Sequence, residues 1–293
     1  MSPTPETSLA ILGPGILGLS LAAFAAEKGL EVRLAGRDSQ HAAAGVARVQ
    51  ERWERRHAAG KAPLASVVTG TACLRACASL EEALDGAAVA FEALPETLDT
   101  KRRAWSTIAA GAAAGTLLLT GSSSLPLARI GRGAGLDPRL IGFHLFLPLE
   151  RMDALELVTR DGTDPRLIAR AEALGAFLGR RIFRIRDGSG YAASRMALAQ
   201  GLEAMRLLER GAAAVEDLDG LMVHGYGHPV GPLELSDRIG LDLRLDIARE
   251  LHRSSGHPAF EPPALLEALV QEGSLGRKSG RGFYRWDPEG RRR

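Results

Sequence analysis

Short apolar runs alternate with longer stretches of helical periodicity through the first part of the chain. Residues 9–12, 32–35, 67–68, 88–91, 116–119, 140–145, 155–159 and 181–185 read as strands. Alanine-rich segments at 19–28, 40–59, 80–84 and 98–113 read as helices between the earlier ones. Alternation of this kind predicts an α/β domain built on a mostly parallel, doubly wound sheet with helices on both faces. The pattern changes at Asp187-Gly188-Ser189-Gly190. Beyond it, 192–210, 215–223, 233–240, 243–254 and 263–272 are all helical. This places an α/β domain over 1–187 and an all-helical C-terminal domain over 188–293. A helical segment of only about a hundred residues often completes its core across a subunit interface, which points to a homodimer.

Composition narrows the class. A hydrophobic content of 45% with 25% charged residues is ordinary for a globular enzyme. A formal charge of +2 with dispersed arginines argues against a nucleic-acid partner. Residues Met1 to Ser8 lack the basic-then-apolar layout of a signal peptide, and no uncharged stretch reaches the ~18 residues a membrane span needs. Cys73 and Cys77 are the only cysteines and have no zinc-type spacing. They read as reduced thiols of a cytoplasmic protein, with no metal site expected.

Chemistry enters at Gly13-Pro14-Gly15-Ile16-Leu17-Gly18, a G-x-G-x-x-G between the first predicted strand and the first predicted helix. A strand, a tight glycine turn and a helix N-terminus together hold a dinucleotide pyrophosphate on backbone N–H groups. Gly13 permits the turn, Gly15 lets the backbone approach the phosphates, and Gly18 lets the helix pack on the strand. The first domain is therefore expected to be Rossmann-type, with Gly13, Gly15, Ile16, Leu17 and Gly18 at the cofactor. The second strand runs into Gly36-Arg37-Asp38. NAD-specific enzymes place Asp or Glu at this strand end to hold the ribose 2′-hydroxyl. Gly36 removes that carboxylate, and Arg37 can pair with a 2′-phosphate, which favours NADP over NAD. The alternative is an exposed Arg37, with Asp38 holding the ribose one step further along.

Further segments, in order, resemble the short-chain L-3-hydroxyacyl-CoA dehydrogenase family. Phe91-Glu92-Ala93-Leu94-Pro95-Glu96 with Lys101 is similar to V-E-A-V-x-E…K, and Ser122-Ser123-Ser124-Leu125-Pro126-Leu127 to S-N-T-S-S-L-x-I. Gly142-Phe143-His144-Leu145-Phe146-Leu147-Pro148 with Leu155-Glu156-Leu157 is similar to G-x-H-F-F-N-P…L-V-E-V. The segment from Gly227 to Asp242 resembles G-x-P-M-G-P-x-E-L-x-D-x-x-G-L-D, and that from Gly276 to Tyr284 resembles G-x-K-x-G-x-G-F-Y.

The resemblance implies roles. His144 is then the general base that takes the 3-hydroxyl proton, a task suited to a group titrating near neutral pH. Glu156 would hold the other ring nitrogen, fix the tautomer and stabilise the imidazolium. Ser123 matches the serine that contacts the substrate oxygen and the base. Glu96 and Lys101 match contacts to the nicotinamide riboside side of the cofactor; otherwise they would be a surface pair worth little. Arg52, Arg55, Arg56 and Lys61 fall where the family has a basic helical hairpin that meets CoA, so Arg52 and Lys61 are candidate substrate contacts; a solvated helix face remains the alternative.

The chain departs from the family at three amides. Gly121 and Leu147 stand for asparagines in the serine and histidine motifs, and Ser194 for the asparagine of the catalytic domain. Losing one donor at a developing oxyanion can cost about 2.7–4 kcal/mol, so retained redox chemistry on an altered substrate is expected. The leading expectation is an NAD(P)-dependent oxidoreductase acting at the 3-hydroxy/3-oxo position of an acyl thioester carried on CoA or an acyl-carrier protein. A dehydrogenase of a free hydroxy acid, of the gulonate or carnitine type, is the alternative. A non-catalytic dinucleotide-binding relative is the third.

Overall fold

The computed structural model describes residues 7–136 and 138–293. Two compact units divide after Gly188. In the first, the chain runs β1 (Ser8–Leu12), α1 (Ile16–Glu27), β2 (Glu31–Ala35), α2 (Ser39–Ala58), α3 (Leu64–Cys73), β3 (Leu74–Ala76), α4 (Leu80–Leu84), β4 (Val89–Glu92) and α5 (Leu98–Gly111). It continues as β5 (Leu117–Thr120), α6 (Leu127–Ile130), β6 (Leu140–Leu145), β7 (Ala154–Thr159), α7 (Pro165–Phe177) and β8 (Arg181–Arg186). The strands form one sheet in the order β3-β2-β1-β4-β5-β6-β7-β8. Every pairing is parallel except β6 with β7. Every residue of β1, β4, β5 and β6 is buried, as expected for central strands covered on both faces.

One predicted strand is corrected. Val67 and Val68 lie in α3, not in the sheet. A short β-branched pair carries no period of its own, so length and flanks must decide. Here Pro63 opens a helix, and Gly70 on its inner face lets α3 lie against Trp53, whose ring is 2.7 Å from where a Cβ would sit. The third strand is Leu74–Ala76, paired with β2. Helix α7 fills an interval the apolar pattern left unassigned. Asp164 caps it and Pro165 occupies its first turn. The parallel pairing of β7 with β8 requires such a crossover.

The second unit is helical: α8 (Ala193–Glu209), α9 (Val215–Gly220), α10 (Pro232–Ile239), α11 (Leu241–Ser255) and α12 (Ala264–Gln271). The stretch read as helix over 215–223 is α9 followed by a π turn at Leu221–Gly225. Leu198, Leu202, Met205, Leu245, Leu251 and Leu266 form the centre of its core. Among the described residues no helix is long and apolar enough to cross a membrane.

Candidate active site

The strand order reverses at β1, which pairs with β2 on one side and β4 on the other. Ligands of open α/β sheets bind beyond the carboxyl ends of the strands at this switch point. Gly13 follows β1 with φ +105°, and a Cβ there would lie 2.7 Å from the Ala93 carbonyl oxygen. At Gly18 a Cβ would sit 1.9 Å from the Gly13 oxygen. Packing within the chain thus demands both glycines. Gly15 differs: its nearest neighbour would be 3.9 Å away. Packing within the chain therefore does not require Gly15, and a glycine there leaves the backbone at the start of α1 open. The donor set and the cradle fit a dinucleotide.

A cavity of about 650 Å³ opens at this point, lined among others by Gly13, Gly15, Ile16, Gly36, Arg37, His41 and Arg48. Ile16 is 81% exposed. Leu17, by contrast, turns its side chain inward toward Gly121 and Phe91. Arg48 donates to the Pro14 oxygen at 2.9 Å and steadies the turn from α2. The Arg37 side chain is 80% exposed, with its Nε 3.3 Å from Asp38 Oδ2. Asp38 Oδ1 accepts the His41 N–H at 2.7 Å and caps α2. That backbone hydrogen bond, with Arg37 beside it, holds the Asp38 carboxyl below its ordinary range.

At the other end of the sheet His144 on β6 stands directly across from Glu156 on β7 in the antiparallel register. Residues opposite one another place their Cβ atoms about 4.5–5.5 Å apart, so a histidine and a glutamate can meet without strain. His144 Nδ1 lies 2.6 Å from Glu156 Oε2, and both residues are buried. The Phe146 ring packs against the imidazole at 4.7 Å between centroids. A carboxylate at Nδ1 can only accept, so Nδ1 carries the hydrogen of this bond.

Glu96 organises the serine loop. Its Oε1 accepts the Ser123 N–H at 2.9 Å, the Ser124 N–H at 2.8 Å and the Ser122 Oγ–H at 2.6 Å. Burial works to raise this carboxyl. Lys101, 3.3 Å from Oε2, and the donors of Ser122 and Ser124 outweigh burial and hold it below the ordinary carboxylate range. Lys101 is itself buried, with Nζ 2.7 Å from Glu92 Oε1, and Glu92 Oε2 accepts the Thr120 hydroxyl at 2.7 Å. Glu96 and Lys101, which the resemblance matches to the nicotinamide riboside side of the cofactor, are not the surface pair they would otherwise have been: they belong to a largely buried network that joins the ends of β4 and β5 and sets the backbone around Ser123. Glu92, which was assigned no role from sequence, is its centre. Its signal was a carboxylate ending an otherwise apolar strand.

The basic segment of α2 is tied within its own unit. Arg52 pairs with Glu150, and Arg56 lies 3.3 Å from Glu27 and 3.7 Å from Glu150. Lys61 is exposed beyond the helix end. Of the three departures, Gly121 is sterically closed: a Cβ would lie 2.6 Å from Leu17 Cδ2 and 2.8 Å from Phe91 Cζ. Leu147 is 38% exposed just after β6. Ser194 sits in the first turn of α8, half-buried, in the second unit.

The most distinctive motifs of the second unit turn out to be structural. Asp219 accepts the Leu233 and Glu234 N–H groups, each at 2.8 Å, and the Tyr284 hydroxyl at 2.9 Å. Asp237 accepts the Phe283 and Tyr284 N–H groups and Trp286 Nε1–H at 2.9–3.0 Å. Burial raises the Asp237 carboxyl against the pull of these donors. A Cβ on Gly282 would fall 2.0 Å from Asp237 Oδ1, and one on Gly276 would fall 2.3 Å from the Asp237 carbonyl oxygen. Gly276 and Gly282 of one motif, and Gly231 of the other, where a Cβ would fall 2.2 Å from Asp219 Cγ, let the chain close around these carboxylates.

Residues 8–188 match the family described as 3-hydroxyacyl-CoA dehydrogenase, NAD binding domain, and residues 190–286 match its C-terminal domain. A probable 3-hydroxyacyl-CoA dehydrogenase of Caenorhabditis elegans is 32% identical over 287 residues, covering 95% of this chain and 92% of that protein. A 3-hydroxybutyryl-CoA dehydrogenase of Mycobacterium tuberculosis is 32% identical over 276 residues, covering 94% of this chain and 96% of that protein. The crystal structure of the (S)-3-hydroxybutyryl-CoA dehydrogenase of Ralstonia eutropha superposes with a TM-score of 0.91 at 28% identity, over 96% of this chain and 99% of that one. With a glycine cradle at the sheet's switch point, a buried histidine–glutamate pair, and both halves matched, the chain belongs to the 3-hydroxyacyl-CoA dehydrogenase family of nicotinamide-dinucleotide-dependent oxidoreductases.

Proposed function

We propose that this protein interconverts 3-hydroxyacyl and 3-oxoacyl thioesters, with His144 as the general base and acid. The observation that carries the reading is the 2.6 Å contact of buried His144 Nδ1 with Glu156 Oε2. When bound, the nicotinamide supplies the acceptor for the hydride leaving C3. His144 takes the hydroxyl proton on Nε2 in the oxidative direction and returns it in the reductive one. Glu156 keeps the ring oriented and stabilises its cationic form in a site largely shielded from water. Ser123, its backbone held by Glu96, positions the substrate oxygen. Ser194 joins this proposal through the resemblance of its motif. Gly13, Gly15, Ile16 and Gly18 hold the dinucleotide, with Leu17 contributing backbone only.

The phosphorylated dinucleotide, NADP(H), is the cofactor in this reading, although the family description names NAD. Gly36 offers no carboxylate to the ribose, Asp38 is committed to capping α2, and Arg37 is exposed on the cavity. The acyl group rides on CoA or an acyl-carrier protein. The second unit mediates a homodimer, which Met196, Leu221, Tyr226 and Leu243, each 45% exposed or more, support. Cys73 and Cys77 are free thiols, which suits the reducing cytoplasm.

Initial rates with NADPH on 3-oxoacyl-CoA, the matching carrier-protein thioester and free 3-oxo acids test the substrate class. Turnover of a thioester well above the free acid is expected. Turnover of the free acid alone overturns the thioester reading and favours the free hydroxy-acid alternative, which the engagement of Arg52 by Glu150 supports.

A further inference from the structure

We infer that His41 is a selectivity-determining contact for the adenosine 2′-phosphate of NADP(H), acting with Arg37, beside a strand end where the first turn of α2 leaves little room for an acid. The inference rests on the NADP reading above and extends it to a residue that neither sequence spacing nor family resemblance singles out.

The argument starts at the end of β2. In NAD-specific sheets of this type the strand-end carboxylate projects toward the ribose. Here a Cβ on Gly36 would lie 3.1 Å from His41 Cβ, 3.1 Å from His41 Nδ1 and 2.9 Å from the Ala42 nitrogen. The first atom of an Asp or Glu side chain thus meets the histidine and the first turn of α2. The acid is excluded as well as missing, and an imidazole lies beside the place it would occupy.

The imidazole lines the cavity and can act there as a donor. The Arg37 N–H approaches His41 Nδ1 at 3.5 Å, a long contact that leaves Nδ1 as the acceptor. A neutral ring accepting at Nδ1 carries its hydrogen on Nε2, and a protonated ring donates there as well. Either form presents N–H to an anion, which a carboxylate in the same place would repel. His41, Arg37 and Arg48 are the charged or titratable side chains among the described cavity-lining residues. Arg48 is held on the Pro14 oxygen. Asp38, the nearest acid, has one oxygen on the His41 N–H and the other on Arg37 Nε. A phosphate arriving at this rim meets Arg37 as a bidentate cation and the His41 ring as a second donor.

The test is direct binding of NADPH, NADH, 2′-phospho-ADP-ribose and ADP-ribose, by calorimetry or nucleotide fluorescence, to the full-length protein and its variants. The intact protein should bind NADPH more tightly than NADH. His41→Ala should weaken NADPH and 2′-phospho-ADP-ribose by about 10-fold while leaving NADH and ADP-ribose within about twofold. Should His41→Ala disturb α2, NADH affinity falls too, and His41→Asn, which keeps a short polar side chain, then carries the comparison. If the intact protein prefers NADH, the NADP reading itself fails. If it prefers NADPH and both His41 variants keep that preference, His41 is overturned and Arg37 alone selects.

Discussion

The Glu156–His144 pair in the first unit and the Asp219–Asp237 knot in the second are both buried carboxylates satisfied by hydrogen bonds, yet they serve opposite ends. Glu156 meets an imidazole, whose second ring nitrogen can give or take a proton. Asp237 meets two backbone N–H groups and an indole, and Asp219 meets two backbone N–H groups and a phenol. The phenol of Tyr284 is pushed upward by burial and by Asp219, further from any working pH. A carboxylate facing a titratable partner can support proton transfer; one facing permanent donors can only hold the chain. The longest and most recognisable motifs of this sequence belong to the second kind, so distinctiveness of a motif does not measure its share of the chemistry.

His144→Ala should break the chemical side of this comparison most severely. Turnover should fall by about 10²–10⁴-fold, the usual contribution of a general base. Activity that survives in single-turnover measurements would remove His144 from the proton path. Asp237→Ala should do the reverse. It strands three buried donors and should cost about 3 kcal/mol or more, seen in denaturant titration and in faster exchange of the Phe283 and Tyr284 amide hydrogens.

Glu96→Gln is the next effect down, at about 2 kcal/mol, and its pH dependence sharpens the contrast. The Glu96 carboxyl is lowered in the folded protein, so its stabilisation is present above the ordinary glutamate range and is lost as pH falls through the folded value. The cost of Glu96→Gln should therefore shrink below about pH 4.5. Asp237 is shifted upward, so its contribution diminishes as pH rises from the ordinary aspartate range through the folded value. The cost of Asp237→Ala should accordingly grow on acidification. Denaturant midpoints of the two variants between pH 3.5 and 7 should diverge, and parallel profiles would contradict both assignments. The smallest effect is expected for Leu147→Asn. The residue is 38% exposed, so stability should change by less than about 1 kcal/mol, whereas Gly121→Asn meets Leu17 and Phe91 and should destabilise clearly.

Local signals carried much of this protein. The strand–glycine–helix order around Gly13 and the alternation that builds the sheet were legible because each depends on spacing along a single segment, whereas His144 and Glu156 were singled out by the resemblance of their motifs. The helical character of Val67 and Val68 was not, since a two-residue apolar run has no period and its packing on Trp53 is a tertiary contact. Nor was the work of Glu96, whose partners lie 26–29 residues away, or of Asp237, whose partners lie 46–49 away.

The sequence by itself determined a strand, a glycine turn and a helix in the order that suits a dinucleotide, and it placed a histidine and a glutamate in motifs like those of the family. The tertiary structure decided that Gly121 is closed to an amide, that Lys101 is buried, and that His41 lies against the empty side of Gly36. The physical reason is common to all three. Hydrogen-bonded turns and periodic faces are written in neighbouring residues, whereas steric exclusion and the desolvation of a charge arise only when distant segments close on the same volume.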